Sequence, residues 1–193
     1  MNGGIEGIVG PMFCGKTEEL LRRVRRAAVG RLKFIAVKPA NDKRYAADSI
    51  CTHSGGSIPA AIVSRDDSGL HALLELGMAP EIRVVAIDEL QFFPADIITV
   101  CQRLRFAGRR VIWSGLDMDS YGKPFGPVPH MLAIGHVLKL TAVCHVCGSD
   151  ATHTFRKTAE TEQVSVGGLD EYEARCFRCW SRVGLEPPHT ING

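Results

Sequence analysis

Eight consecutive residues constrain this chain more than any others. Gly10, Pro11, Met12, Phe13, Cys14, Gly15, Lys16 and Thr17 satisfy the spacing G-x-x-x-x-G-K-[ST] at every fixed position. Their setting matters as much as their identity. Ile5 to Val9 is a short apolar run stopped by Gly10-Pro11, as a buried strand would be, and Thr17 to Ala28 carries Leu20, Leu21, Val24, Ala27 and Ala28 on one helical face. A strand that ends in a glycine-rich turn and runs into a helix builds a phosphate cradle. Backbone N–H groups turn inward there, and the helix N-terminus adds partial positive charge. Lys16 is expected at the β- and γ-phosphates of a bound nucleotide, and Thr17 at Mg2+.

The rest of the chain supplies the framework for such a loop. Leu32 to Val37, Ile58 to Val63, Ile82 to Ile87, Val111 to Trp113 and His136 to Leu140 read as strands. Asp66 to Leu76 reads as a helix, and Pro94 begins another, with Ile97, Ile98, Cys101 and Leu104 at helical spacing. Strands alternating with helices predict an α/β architecture with a mostly parallel sheet. Trp113 and Phe106 are expected in the core, and His53, His71, His130 and His136, which lack partner spacing, in structural or surface positions. Pro39 to Ser57 is polar and too long for a simple connection, which marks it as functional.

Two carboxylates follow the strand from Ile82 to Ile87. Val84-Val85-Ala86-Ile87-Asp88-Glu89 has the form of a Walker B segment, placing Asp88 and Glu89 at the strand's C-terminal edge beside the phosphate loop. Asp88 is expected in the Mg2+ shell. Glu89 is expected to be a base for an attacking hydroxyl or water.

The character of the chain changes after about Thr141. Cys144-His-Val-Cys147 and Cys176-Phe-Arg-Cys179 are two C-x-x-C pairs with 28 residues between them. Four thiolates in paired knuckles suit tetrahedral Zn2+ in a structural role. The alternative is a thioredoxin-like redox pair, but one pair would suffice, and neither follows an obvious strand-to-helix step. Four sulfurs close the metal site, so His145 and His153 are assigned to the surface. Residues 1–142 are expected to form one domain and residues 143–193 a small zinc-binding domain, with a loose tail from Gly184 to Gly193.

Hydrophobic residues at 45%, charged residues at 23% and a net charge of +2 exclude a disordered chain and give no sign of a polyanion-coating protein. No apolar run approaches the roughly 18 residues of a membrane span, and no secretory leader is visible, so a cytoplasmic protein is expected. These residues point to phosphoryl transfer without fixing the acceptor. An ATPase with a zinc module acting on nucleic acid would share the loop, the Asp-Glu pair and the cysteines. A nucleic-acid-binding role would use Arg22, Arg23, Arg25, Arg26, Arg31 and Lys33; interleaved apolar positions fit that cluster better to a solvated helix face or a subunit contact.

The series Gly-Pro-Met-Phe-x-Gly-Lys-Thr, Ile-Asp-Glu-x-Gln-Phe-Phe, Lys-Pro-Phe-Gly and a four-cysteine end enclosing Gly-Gly-x-Asp-x-Tyr resembles the type II thymidine kinases in this order, from residue 4 to about residue 182. The resemblance implies a P-loop, RecA-like parallel sheet with a small C-terminal zinc-binding domain. It also implies transfer of the γ-phosphate of ATP, with Mg2+, to the 5′-hydroxyl of thymidine, giving dTMP for DNA synthesis. The partner is then a small-molecule nucleoside, with no nucleic acid and no membrane, in a homotetramer.

By the same resemblance, Glu89 is the proton acceptor. Gly10 to Thr17, with Asp88, Glu89, Leu90 and Gln91, match the ATP-binding segments, as do Asp42, Lys43 and Arg44 in the long polar stretch. Met12, Phe92 and Leu116 fall where the family lines its nucleoside pocket. Gln163, Val164, Ser165, Val166 and Gly167 correspond to a loop that covers the base through main-chain groups, with Tyr172 closing behind it. Such a loop implies acceptance of thymidine and deoxyuridine and rejection of deoxycytidine. The chain departs from the family at Cys14, where serine is expected, and at Ser120, where an aromatic residue usually packs near the base. Tyr121 replaces that aromatic from the next position, or the wall is reshaped. Beside a helix N-terminus, the Cys14 thiol is expected to lean towards thiolate.

Overall fold

The computed structural model describes residues 3–40, 49–52, 55–157 and 171–181. Its first element, β1 (Gly4–Val9), runs through the glycine-rich loop into α1 (Lys16–Val29). There follow β2 (Phe34–Pro39), a small antiparallel pair β3 (Ser49–Cys51) and β4 (Ser57–Pro59), β5 (Ala61–Val63) and α2 (Asp67–Met78). Then come β6 (Val84–Ile87), a short 3-10 turn (Leu90–Phe92), α3 (Ile97–Phe106), β7 (Arg110–Gly115), α4 (Val128–Ile134) and β8 (His136–Lys139).

Six of these strands form one sheet in the order β5-β2-β6-β7-β1-β8, and every pairing in it is parallel. The expected α/β class is borne out. β7 lies between β1, which leads into the glycine-rich loop, and β6, which ends at Asp88.

Both faces of the sheet are covered, so its strands are apolar on alternate sides instead of alternating apolar with polar. Ile8, Ala36, Val84, Ala86 and Ile112 pack with Leu20, Leu21, Val24 and Ala27 of α1. Their chain neighbours Val9, Val37, Val85, Ile87, Val111 and Trp113 face the opposite side, against Leu70, Leu73 and Leu74 of α2 and Ile97, Cys101 and Leu104 of α3. Gly7 stands in register with Trp113, and a Cβ at that position would lie 2.4 Å from the indole; only glycine gives the fully buried ring its place.

Some expectations need correction. Ile58 to Val63 is two strands: β4 turns back on β3, while β5 joins the main sheet beside β2. Ala28 is exposed, one step beyond the buried stripe of α1. Phe106 is 87% exposed, because two residues after the buried Leu104 the last turn of α3 has rotated towards solvent. Among the arginines of α1, Arg22, Arg25 and Arg26 are exposed, whereas Arg23 turns in to Glu6 at 2.9 Å and to Glu19 at 2.8 Å.

The C-terminal part is built differently. It has β9 (Ala142–Val143) paired antiparallel with β10 (Asp150–Ala151), and β11 (His153–Arg156) paired with β12 (Tyr172–Arg175), followed by α5 (Phe177–Ser181). β9 straddles the expected boundary at residue 142. Among the described residues no helix is long and apolar enough to cross a membrane.

Candidate active site

The glycine-rich loop leaves β1 at Gly10, with φ +146°, and enters α1 through Gly15, with φ +83°. At Gly10 a Cβ would lie 2.4 Å from the Leu140 carbonyl oxygen, so the loop can pass β8 only as glycine. Lys16 is buried, and its ammonium donates to the Pro11 carbonyl at 2.7 Å, folding across the mouth of its own loop. A lysine spanning the loop in this way is held where an anion in the cradle would meet it.

Asp88 is buried at the C-terminal end of β6, where it accepts from the Ser114 hydroxyl on β7 and from the Glu89 N–H at 3.1 Å. The Thr17 hydroxyl reaches its other oxygen at 3.5 Å. Burial, and then the charge of Glu89, push the Asp88 carboxyl up to about 6, against the opposing Ser114 hydrogen bond. A carboxylate this costly to ionise, with a hydroxyl beside it, suits a hard cation that would restore its charge.

Glu89 occupies the left-handed region at φ 53°, a conformation that costs a non-glycine residue about 1–3 kcal/mol and that the surroundings must impose. Gln91 takes part in that. Its buried amide donates to the Glu89 carboxylate and accepts from the Leu116 N–H at 3.0 Å. A Cβ at Gly115 would lie 2.8 Å from the Gln91 amide oxygen, so that glycine makes room for the bridge. The structure thus turns Gln91 inward, towards the carboxylate and the following loop.

Phe92 and Phe125 meet edge to face at 5.7 Å between ring centres, and the Arg65 guanidinium lies 4.7 Å above the Phe92 ring. Met12, Phe92 and Leu116 are each half-buried, and Tyr172 is buried on β12 with the Arg156 guanidinium 5.8 Å from its ring. Asp42, Lys43, Arg44 and the Gln163–Gly167 segment lie outside the described residues.

The four cysteines converge. All four Sγ atoms lie within 4.8 Å of one another, with Cys147 and Cys176 3.7 Å apart. A tetrahedron with Zn–S of about 2.3 Å has edges near 3.8 Å, so the donor set fits Zn2+. Tight turns aim the sulfurs: the Gly148 N–H returns to the Cys144 carbonyl, and those of Cys179 and Trp180 to the Cys176 carbonyl. Hydrogen bonds led by Ser149 draw the Cys147 thiol down to about 6, while the neighbouring Cys176, then burial, push Cys179 up to about 12. Four sulfurs at this spacing are a donor set that could hold a cation.

Contacts invisible in the sequence join this unit to the glycine-rich loop. The Met12 N–H donates to the Thr154 hydroxyl on β11 at 3.0 Å, and Phe13 and Cys14 pack against the cluster of Ala142, Cys144, Ala151, Ala174 and Cys179. That packing reverses the expectation for Cys14: burial raises its thiol above the ordinary cysteine value, outweighing the nearby Lys16 charge. His153, assigned to the surface, stacks on Trp180 at 4.6 Å, and Ser120 offers its carbonyl to the Trp180 indole N–H at 3.1 Å. No local signal marks Thr154, Ser114 or Trp180, because each partner lies far along the chain.

Comparison with known proteins places the chain. The family model described as thymidine kinase matches residues 3–180. A thymidine kinase from Rhodothermus sp. (strain ITI 518) is 43% identical over 179 residues, covering 92% of this chain and 81% of the relative. One from Coprothermobacter proteolyticus is 44% identical over 182 residues, covering 91% and 89%. Among solved structures, domain III of the Thermotoga maritima replication initiation protein DnaA superposes with a TM-score of 0.43 at 12% identity, covering 72% of this chain and 55% of that one, too distant to inform the site. With a match of this length and identities at this level, the chain belongs to the thymidine kinase family.

Proposed function

We infer that the chain is a thymidine kinase, transferring the γ-phosphoryl group of ATP to the 5′-hydroxyl of thymidine and releasing ADP and dTMP. The observation that carries the chemistry is the convergence, at one edge of the sheet, of Lys16, the Thr17–Asp88 pair and a Glu89 carboxylate held by Gln91. Gly10 to Thr17 cradle the ATP phosphates, with Lys16 on the β- and γ-oxygens. Thr17 and Asp88 would hold Mg2+, which would supply charge neutralisation of the phosphates. Glu89 accepts the 5′-hydroxyl proton as the oxygen bonds to the γ-phosphorus and the bond to ADP breaks. Its Gln91 partner keeps the carboxylate aimed.

Met12, Phe92 and Leu116 line the nucleoside pocket, Asp42, Lys43 and Arg44 serve the phosphate end, and Gln163 to Gly167 cover the base with Tyr172 behind them. Residues 1–142 act as the nucleotide-binding domain and residues 143–193 as a domain held by structural Zn2+ on Cys144, Cys147, Cys176 and Cys179. The assembly is a cytoplasmic homotetramer.

Incubation with Mg-ATP and thymidine tests this reading. Equimolar ADP and dTMP are expected, with no ADP in the absence of nucleoside. Deoxycytidine is expected to react on the order of 10²–10⁴-fold less efficiently, because two base-edge groups would face like groups of the backbone. Phosphate release that ignores the nucleoside would overturn the assignment.

A further inference from the structure

We propose that Trp180 is a positioning residue for nucleoside binding, through which helix α5 of the four-cysteine unit sets the loop from Leu116 to Lys123. The indole is buried and donates to the Ser120 carbonyl at 3.1 Å. Its six-membered ring covers Gly122, where a Cβ would lie 2.9 Å away and where φ is +74°. The loop can therefore meet the indole face only as glycine, in a conformation other residues rarely adopt. Behind the indole, His153 stacks at 4.6 Å from β11. Trp180 follows Cys179 directly, and its own N–H returns to the Cys176 carbonyl at 2.9 Å, so the cysteine knuckle dictates where the ring stands.

The other end of the same loop reaches the catalytic carboxylate. The Leu116 N–H donates to Gln91, whose amide donates in turn to Glu89. Between the two ends, one Asp119 carboxylate oxygen accepts from the Tyr121 and Lys123 N–H groups, each at 2.9 Å, which stiffens the turn. A stiff loop fixed at both ends holds the segment between them in place, so freeing the Trp180 end lets that segment shift while the Gln91 contact keeps the carboxylate where it is. Ser120 thus takes its place through its carbonyl, an anchor that asks nothing of its side chain. An aromatic residue can be absent there while the loop remains set.

This inference rests on the reading that the loop borders the nucleoside pocket. The test is Trp180→Phe, which keeps an aromatic ring over Gly122 and removes the N–H donor. Thymidine and ATP dissociation constants are measured by calorimetry, zinc content by metal analysis, and kcat and KM by turnover. The expected result is a thymidine Kd and KM raised about fivefold, the change one lost hydrogen bond commands, with ATP affinity, zinc content and kcat at saturating thymidine within twofold of the parent. Thymidine affinity unchanged in the variant would overturn the proposal. So would parallel losses of zinc and of ATP affinity, which would make Trp180 a general structural residue. A parent protein that binds no thymidine would instead overturn the functional reading itself, and the two failures are told apart before the variant is made.

Discussion

The central sheet and the four-cysteine unit are held together by different physics. The sheet buries large side chains on both faces, among them Leu20, Leu73, Leu104, Ile112 and Trp113, all essentially inaccessible. The cluster around the cysteines consists of Ala142, Cys144, Ala151, Ala174 and Cys179, and among the described residues of the unit Tyr172 and Trp180 are the large apolar side chains that are buried. At about 25 cal/mol per Å2 of apolar area, two large side chains and a handful of small ones contribute less per ordered residue than the sheet's two packed faces do against the entropy of ordering two hairpins and a helix. The first region is stable by burial, and the second, in the proposed reading, by ligation. The glycine-rich loop leans on both.

Removing a ligand should separate the two regions most sharply. Cys176→Ser is expected to lose about one zinc per chain and with it roughly the 10–16 kcal/mol that structural zinc supplies to small domains, opening residues 143–181 to protease while the sheet keeps its far-ultraviolet dichroism. Zinc content and protease resistance equal to the parent would show that the unit stands without ligation.

Glu89→Gln tests a residue that belongs to the sheet by sequence but strains it by conformation. Its kcat should fall roughly 10²–10⁴-fold, with ATP affinity and melting temperature retained. Near-normal turnover would move the proton acceptor elsewhere. The mirror image is Leu104→Ala, deep in the sheet's core and far from the glycine-rich loop. It should cost about 2–5 kcal/mol in urea unfolding and leave zinc content and low-temperature kinetics intact. A loss below 1 kcal/mol would mean the sheet depends on burial less than its packing implies.

The smallest effect concerns the edge where function works against stability. Asp88 titrates at about 6 in the folded protein, above an aspartate's ordinary value near 4, so the folded state binds its proton more tightly than the unfolded chain. Its contribution therefore worsens as pH rises from about 4 to about 6 and stays unfavourable above that. Without added Mg2+, Asp88→Asn should be more stable than the parent above pH 6, the advantage fading towards pH 4, as read from urea midpoints. An advantage that grows on acidification would reverse the sign and place Asp88 in a favourable ion pair.

What could be read from the sequence follows the range of the interactions. Gly10 to Thr17 and the Val84–Glu89 strand carry their meaning in adjacent residues, and the cysteine pairs carry theirs in a fixed spacing. The parallel sheet followed from strands alternating with helices. Phe106 was misplaced because hydrophobicity without helical phase says nothing about direction. The expectation for Cys14 fails because its place beside a helix N-terminus is local, whereas the distant alanine–cysteine cluster that helps to bury it is not. The Thr154–Met12 hydrogen bond spans 142 residues, and the Trp180–Ser120 bond spans 60. No window along the chain contains either.

The order of the sheet also bears on how the chain is made. β1 emerges from the ribosome well before its neighbours in the sheet, β7 and β8, with Gly4 opposite Arg110 and Glu6 opposite His136. At the usual synthesis rate of about 5–20 residues per second, β1 waits roughly 5–20 s for its first partner. During that time the strand leading into the glycine-rich loop is apolar, unpaired and open to other chains. Yield during expression should therefore depend more on slow translation and holdase chaperones than on the final stability of the sheet.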